Sequence, residues 1–86
     1  MHNINNGTII DIRSPYKHSL GNIPNSLNIS EFDLMYNHGK YLNNVDTYFL
    51  YCDSGIRSKK LVSYLCSLGY KCVNIEGGFN NYLLEK

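Results

Sequence analysis

A short apolar run that leads directly into a cysteine is the feature that most constrains what this chain can fold into. Residues 48–51 (Tyr-Phe-Leu-Tyr) are apolar on both faces, which is typical of a parallel strand covered by two layers. Cys52 follows at once, and a helical pattern begins near Ser58. The stretch predicts a strand, a tight loop and a helix. The thiol then lies at the carboxyl end of the strand, the edge where open α/β sheets bind ligands.

This placement predicts an activated thiol. A loop that curls around Cys52 can direct several backbone N–H groups at the sulfur, and the following helix points its positive dipole end at the same place. Arg57 adds a permanent positive charge at the end of the loop. Such surroundings lower the pKa of a cysteine from about 8.5 to roughly 3.5–7.5. The sequence therefore predicts a nucleophile that is largely ionised at neutral pH without a histidine base.

The rest of the chain alternates strand and helix patterns. Short β-branched or apolar runs at residues 8–12, 27–29 and 71–75 predict three further strands. Ser14, followed by a proline, and Ser30 are typical N-caps of short helices. The alternation predicts an α/β fold, a small open parallel sheet of four or five strands with helices on both faces.

The helix after the loop has the clearest periodicity in the chain. Leu61, Leu65 and Leu68 recur at helical spacing, and Val62 and Cys66 widen the same apolar stripe. Gly69 is a natural C-terminal residue for this helix. Residues 37–39 (Asn-His-Gly) predict a polar turn, and residues 79–83 predict a final short helix.

Length and composition exclude several classes of protein. The 86 residues predict a single domain over residues 1–86, and no stretch approaches the ~20 apolar residues of a membrane span. The net charge of +1 gives no electrostatic case for nucleic acid. Three irregularly spaced cysteines predict neither a disulfide framework nor a metal site. No secretory signal is visible, so we expect a reducing cytoplasm, which suits a free thiol.

The cysteine loop resembles the active-site loop of rhodanese-like sulfurtransferases, whose usual form is C-x-x-G-x-R-S. Cys52, Gly55, Arg57 and Ser58 match that form. The segments at residues 11–13, 21–29, 68–70 and 76–79 resemble further signatures of the family, so the resemblance covers nearly the whole chain. Related dual-specificity phosphatases carry one loop residue more. By this resemblance, the six-residue loop favours sulfur over phosphate.

The resemblance implies a sulfurtransferase that carries sulfane sulfur as a persulfide on Cys52. The donor would be thiosulfate, a polysulfide or a persulfide, and the acceptor cyanide, a thiol or a protein cysteine. Neither a metal nor an organic cofactor is needed, because the covalent persulfide is the carrier. The remaining residues of the loop would hold the substrate; they are Asp53, Ser54, Gly55, Ile56, Arg57 and Ser58.

The sequence also predicts roles for individual residues. Asp53 and Ser54 are the loop residues expected to face a substrate, and the carboxylate of Asp53 should repel a dianion such as thiosulfate. Arg57 is expected to tie the loop to the scaffold or to donate to loop carbonyls, and Ser58 to cap the helix or brace the loop. Lys17 stands where the family commonly has glutamate.

Three other functions remain open at this stage. The domain could be a non-catalytic or partner-dependent interaction module. It could be a phosphatase or an arsenate reductase that uses the same thiolate. It could be a redox sensor, since an exposed thiol of low pKa oxidises readily. Cys66 and Cys72 are expected to be structural, with a resolving role only if the fold brings either close to Cys52.

Overall fold

The computed structural model describes residues 7–85 of the chain. Strands and helices alternate along these residues in the following order: β1 (Thr8–Asp11), α1 (Pro15–Leu20), β2 (Leu27–Asn28), α2 (Glu31–Tyr36), α3 (His38–Tyr41), β3 (Thr47–Tyr51), α4 (Ile56–Ser67), β4 (Lys71–Asn74) and α5 (Gly78–Glu85). The expected alternation of strands and helices is confirmed.

The described strands form one parallel sheet in the order β2–β1–β3–β4. In the register of the sheet, Asp11 of β1 pairs with Tyr51 of β3, and Leu50 of β3 pairs with Asn74 of β4. The carboxyl ends of these three strands therefore meet at one edge, immediately before Cys52. The expected open parallel sheet is confirmed, and it has four strands.

One face of the sheet carries the hydrophobic core. Successive side chains of a strand point to opposite faces, and every second residue of the central strands points to this one. Helices α2 and α4 cover it with Leu34, Leu61 and Leu65, each at most 1% exposed. Burying a leucine side chain in this way contributes ~1.5–3 kcal/mol. The whole cluster comprises Ile10, Ile12, Leu34, Leu42, Tyr48, Leu50, Cys52, Leu61, Leu65 and Cys72.

The opposite face buries a polar network around Asp11, which is fully buried. Arg13 donates from Nε and Nη2 to the two carboxylate oxygens of Asp11, at 2.9 and 2.7 Å. The hydroxyl of Tyr51 donates to the same carboxylate at 3.0 Å. From α1, the Nδ1 atom of His18 lies 2.9 Å from Asp11, and from α5 the ring of Phe79 stacks on Tyr51. Helices thus cover both faces of the sheet.

The charge of Asp11 is maintained in spite of burial. Burial alone would raise the pKa of this carboxyl group, but hydrogen bonds from the side chain and backbone of Arg13 and from His18 outweigh it and leave the pKa below its usual value. A carboxyl group with a lowered pKa stabilises the folded state above its unfolded pKa and loses that contribution as the pH falls. The Asp11–Arg13 pair therefore supports the fold at neutral pH.

The predicted helix caps are confirmed. The hydroxyl of Ser14 accepts the backbone N–H of Lys17 at 3.2 Å, with a proline at the start of α1. The hydroxyl of Ser30 accepts the backbone N–H of Asp33 at 3.0 Å. Each cap satisfies a backbone donor that the first turn of a helix leaves unpaired.

The structure corrects several details. The expected polar turn at residues 37–39 instead leads into the short helix α3, which contains Gly39. Helix α4 begins at Ile56, two residues before the predicted start. Cys66 is exposed and Leu68 is 45% exposed, so the apolar stripe of α4 is narrower than predicted. Because α4 packs against the sheet on one side alone, it does not need a wider apolar stripe.

Residues 7–85 contain neither a membrane-spanning helix nor a cluster of metal-ligating side chains. None of the helices formed by these residues is long and apolar enough to cross a membrane. In the same part of the chain, no group of three or more His, Cys, Asp or Glu side chains is placed to hold a metal ion.

Replacing Tyr51 with phenylalanine tests the polar network. The Tyr51 hydroxyl donates to Asp11 and accepts the backbone N–H of Ile23 at 3.1 Å, so its loss leaves buried groups with fewer partners. We expect the free energy of unfolding in urea to fall by about 1–3 kcal/mol. Tyr16→Phe is the matched control, because Tyr16 is 71% exposed. Equal stability of the two variants would contradict the assigned role.

Candidate active site

The loop between β3 and α4 turns sharply around Cys52. Cys52 is only 4% exposed, and the loop ends at Gly55, whose φ is +90°. A side chain at Gly55 would be strained by this φ, and its Cβ would lie 2.9 Å from the backbone nitrogen of Gly77. The glycine of the motif is therefore required by the backbone conformation and by the close approach of the next loop.

Hydrogen-bond donors of the loop converge on the sulfur of Cys52. The backbone N–H groups of Gly55 and Ser58 donate to Sγ at 3.2 and 3.4 Å. The hydroxyl oxygen of Ser58 lies 3.4 Å from the same sulfur. These donors belong to the loop and to the first turn of α4, where unpaired N–H groups and the helix dipole favour a negative charge. The predicted cradle of backbone donors is present.

These contacts lower the pKa of the Cys52 thiol. Burial by itself would raise the pKa, because it disfavours the charged form. The hydrogen bonds from the side chain and backbone of Ser58 and from the backbone of Gly55 and Arg57 outweigh burial, so the pKa lies below its ordinary value. Within residues 7–85, the site stabilises a thiolate mainly by hydrogen bonds, and none of the contacts to the sulfur comes from a histidine.

The hydroxyl of Ser58 has two partners and one hydrogen to donate. Besides approaching Cys52, it donates to Oδ1 of Asn74 at 2.6 Å, and Nδ2 of Asn74 donates to the carbonyl of Gly55 at 3.2 Å. When Cys52 is a thiol, the hydroxyl can accept from sulfur and donate to Asn74. When Cys52 is a thiolate, the same hydrogen can turn to the sulfur. Asn74 thus holds Ser58 and the loop in place.

The outward-facing carbonyls of the loop are held by α5. The backbone N–H of Phe79 donates to the carbonyl of Cys52 at 2.8 Å, and that of Asn80 donates to the carbonyl of Asp53 at 3.0 Å. Gly78 has a φ of +60°, and a Cβ there would overlap the carbonyl oxygen of Cys52. The second glycine of the pair at 77–78 therefore allows α5 to approach the loop and fix its orientation.

Asp53 forms ion pairs across the mouth of the site. Its Oδ2 lies 2.6 Å from Nζ of Lys17 on α1, and its Oδ1 lies 3.4 Å from Nη1 of Arg13. The hydrogen bond from Lys17 is the largest cause of a lowered pKa for Asp53. The negative charge of Asp53 is therefore compensated, and its repulsion of an anion is weaker than the sequence suggests.

Arg57 joins the loop to α2. Its side chain is 72% exposed, and both Nε and Nη2 donate to Oε1 of Glu31, with Nε at 3.0 Å. The pairing raises the pKa of Arg57, so the guanidinium keeps its charge. Of the two expected roles, this geometry fits a tie to the scaffold, while α5 donates to the loop carbonyls.

A cavity of about 270 Å³ opens beside Cys52. It brings together Cys52 with Asp53, Ser54 and Arg57 of the predicted loop, and it also takes in the segment between β1 and α1 and one residue of α1. Its lining comprises Ile12, Arg13, Ser14, Lys17, Cys52, Asp53, Ser54 and Arg57. Gly55, Ile56 and Ser58 do not line the cavity. Gly55 and Ser58 contact the sulfur through their backbone N–H groups, and Ile56 is exposed.

The other two cysteines lie away from this site. Cys72 is in register with Tyr48, four residues before Cys52 along β3, which corresponds to ~13 Å. A disulfide needs Cα atoms within ~7 Å. Burial raises the pKa of the Cys72 thiol to about 11, and Cys66 is exposed and donates to the Cys72 carbonyl. Neither cysteine is placed to act as a resolving thiol in this structure.

The sequence did not identify three partners of the loop. Asn74 orders Ser58, Glu31 pairs with Arg57, and Lys17 pairs with Asp53. The sequence could have indicated a role for Asn74, since it is a polar residue at the end of a strand next to β3. Lys17 and Glu31 lie on neighbouring helices, and only the folded arrangement brings them to the loop.

Known proteins resemble the chain along its length. The family profile described as "Rhodanese-like domain" matches residues 1–85. "Putative sulfurtransferase YtwF" of Bacillus subtilis is 34% identical over 70 residues, covering 81% of this chain and 67% of that protein. The "tRNA uridine(34) hydroxylase" of Bartonella bacilliformis is 33% identical over 82 residues, covering 87% of this chain. The chain spans only 27% of that hydroxylase.

Solved structures agree with the sequence comparison. A rhodanese-related protein from Thermoplasma volcanium matches with a TM-score of 0.87 and 35% identity, over 96% of this chain and 82% of that chain. A rhodanese-like domain protein from Staphylococcus aureus matches with a TM-score of 0.74 and 35% identity, over 84% and 70% of the two chains. The fold, the cysteine cradle and these likenesses lead to one conclusion: the chain belongs to the rhodanese-like domain family.

Proposed function

We propose that this protein is a sulfurtransferase that carries sulfane sulfur as a persulfide on Cys52. The observation that carries the proposal is the pair of backbone N–H groups, from Gly55 and Ser58, that donate to the sulfur. Donors at this atom stabilise the thiolate that attacks a sulfur donor and that forms again when the sulfur is passed on. The family to which the chain belongs, and a relative named as a sulfurtransferase, support the same activity.

The first half-reaction loads the sulfur. With thiosulfate as the donor, the Cys52 thiolate attacks the outer sulfur, the bond between the two donor sulfurs breaks, and sulfite leaves with the bonding electrons. The products are a Cys52 persulfide anion and sulfite, so the total charge is unchanged. A polysulfide or a small persulfide reacts in the same way, with a shorter polysulfide or a thiolate as the leaving group.

The second half-reaction returns the free thiolate. A nucleophile, such as cyanide, a small thiol or a protein cysteine, attacks the outer sulfur of the persulfide and displaces Cys52 as a thiolate. The cycle is a two-step covalent mechanism in which the enzyme alternates between two forms. The backbone donors at Sγ are already in position, so little reorganisation is required when the charge returns to this atom. A reducing cytoplasm would keep the thiol available between turnovers.

The two main alternatives use the same loop differently. An interaction module would bind a partner without taking up sulfur. A phosphatase or an arsenate reductase would hold a tetrahedral oxyanion within the loop, and by family resemblance the six-residue loop is one residue short for that role. Persulfide formation on Cys52 separates the sulfurtransferase from each of them.

Mass spectrometry of the intact protein tests the persulfide directly. After incubation with thiosulfate or with a polysulfide, the wild type should gain the mass of one sulfur. The added mass should disappear on treatment with cyanide, because cyanide takes up the outer sulfur. The Cys52→Ser variant should gain nothing.

Cys66 provides the control for this measurement. A Cys66→Ser variant should load like the wild type, since Cys66 is on the outer surface of α4. Added sulfur that persists in Cys52→Ser would place the carrier elsewhere. If no donor loads Cys52, while a Cys52→Ser variant still binds a protein partner, the interaction module becomes the better account.

Removing the Ser58 hydroxyl should make Cys52 a weaker acid. The hydrogen bond from this side chain lowers the pKa of Cys52, so Ser58→Ala should move the pH midpoint of alkylation upward and slow alkylation at neutral pH several-fold. The measurement is the pH profile of iodoacetamide reaction at Cys52, in a Cys66→Ser background. Ser63→Ala, an exposed serine on the same helix, is the control. An unchanged midpoint in Ser58→Ala would show that the backbone donors suffice.

A further inference from the structure

Two exposed side chains of opposite charge form a pair at the cavity beside Cys52. Nζ of Lys17 lies 2.6 Å from Oδ2 of Asp53, and their side chains are 54% and 40% exposed. Both residues line the cavity that opens onto Cys52. A ligand in this cavity therefore meets one accessible positive charge and one accessible negative charge side by side.

The other two cations that line this cavity are already paired. The side chain of Arg13 is only 5% exposed, and it is fixed by Asp11 and by the carbonyl of Gly21 at 2.7 Å. Arg57 is paired with Glu31 on α2. A dianion that enters the cavity therefore meets cations whose charges are already partly compensated by carboxylates, which weakens its binding.

The Lys17–Asp53 pair is the one that a ligand can open most easily. Ion pairs between exposed side chains contribute little net stability, so exchanging one partner for another costs little. Asp53 is also held on its other oxygen, where Nη1 of Arg13 lies at 3.4 Å from Oδ1. When Lys17 moves to a ligand, Asp53 can remain in place and accept a hydrogen bond from a cationic group.

The size of the cavity suits a small molecule. Its volume is about 270 Å³. Pockets that enclose drug-sized ligands range from ~300 to ~1,000 Å³. The cavity also has to hold the transferred sulfur and the reacting thiol, which favours a small acceptor.

We propose that Lys17 and Asp53 form a binding site for the headgroup of a small zwitterionic thiol, with cysteine as the simplest example. The carboxylate of the ligand would pair with Lys17 and its ammonium group with Asp53, while its sulfur faces Cys52. This inference rests on the proposed sulfurtransferase function and names the class of its acceptor. It differs from the expected repulsion of an anionic substrate by Asp53, because both Lys17 and Asp53 bind the ligand.

The transfer step balances without a further reactant. The proton that the acceptor thiol loses protonates the Cys52 persulfide anion to its S–S–H form. The thiolate of the bound acceptor then attacks the outer sulfur, and a new sulfur–sulfur bond forms. The bond between the outer sulfur and Cys52 breaks, and its electrons remain on Cys52 as a thiolate. The outer sulfur keeps its proton and leaves as part of the acceptor's persulfide, so no oxidant or reductant is consumed.

Three thiols of similar size test the proposal. Cysteine carries both charged groups, cysteamine lacks the carboxylate, and 3-mercaptopropionate lacks the ammonium group. Cys52 is first loaded with a polysulfide, and the rate of sulfur loss to each thiol is then followed by mass spectrometry. Each rate is divided by the concentration of the thiolate form of that thiol. The wild type should react roughly tenfold faster with cysteine than with either other thiol, because each charge-assisted contact strengthens binding.

Single substitutions should remove one preference each. In Lys17→Gln, cysteine should lose its advantage over cysteamine and keep its advantage over 3-mercaptopropionate. In Asp53→Asn, the reverse should hold, and 3-mercaptopropionate should react faster than in the wild type because Lys17 is released. Lys71→Gln, which removes a charge at the opposite end of the sheet, should behave like the wild type.

The outcomes distinguish this inference from the function on which it rests. If Cys52 loads with sulfur but the wild type transfers it equally fast to all three thiols, the zwitterion site is wrong and the sulfurtransferase stands. The same conclusion follows if the rate ratios are identical in Lys17→Gln, Asp53→Asn and Lys71→Gln. If Cys52 never takes up sulfur, both proposals fail. The wild-type comparison requires no variant to fold.

Discussion

The orientation of one short loop is the constraint on which the rest of the site depends. For N–H groups to point inward at the sulfur of Cys52, the loop carbonyls have to point outward and find other donors. Helix α5 supplies these donors through the backbone of Phe79 and Asn80, and Gly78 allows the close approach. Helix α5 therefore determines the direction in which the N–H and carbonyl groups of the Cys52 loop point, although the two lie far apart in the sequence.

The two faces of the sheet contribute differently to this arrangement. The apolar face fixes where β3 ends and α4 begins, because Leu61 and Leu65 are buried against the strands. The polar face connects the fold to the site, since Arg13 contacts buried Asp11 on one side and Asp53 of the loop on the other. A buried ion pair is a costly way to stabilise a fold. Here it also positions a side chain at the edge of the active site.

The sequence was sufficient where the determining contacts are local. The strand–loop–helix around Cys52 and the caps at Ser14 and Ser30 depend on residues a few positions apart, so local sequence patterns predict them. Glu31 lies 26 positions from Arg57, and Lys17 lies 36 positions from Asp53. Those pairs depend on how α1 and α2 pack, which no local pattern encodes. Helix α3 was missed because Gly39 normally indicates a turn.

The same arrangement separates the activation of the thiol from the choice of its reaction partner. The charge on Cys52 is stabilised by backbone N–H groups and by Ser58, all beneath or beside the sulfur. Lys17 and Asp53 lie at the mouth of the cavity, where their opposite charges form an ion pair. If the proposed acceptor site is correct, exchanging the side chains at these two positions changes which molecule the cavity accepts more than it changes the acidity of the thiol. A fold built in this way can retain one chemistry while its substrate changes.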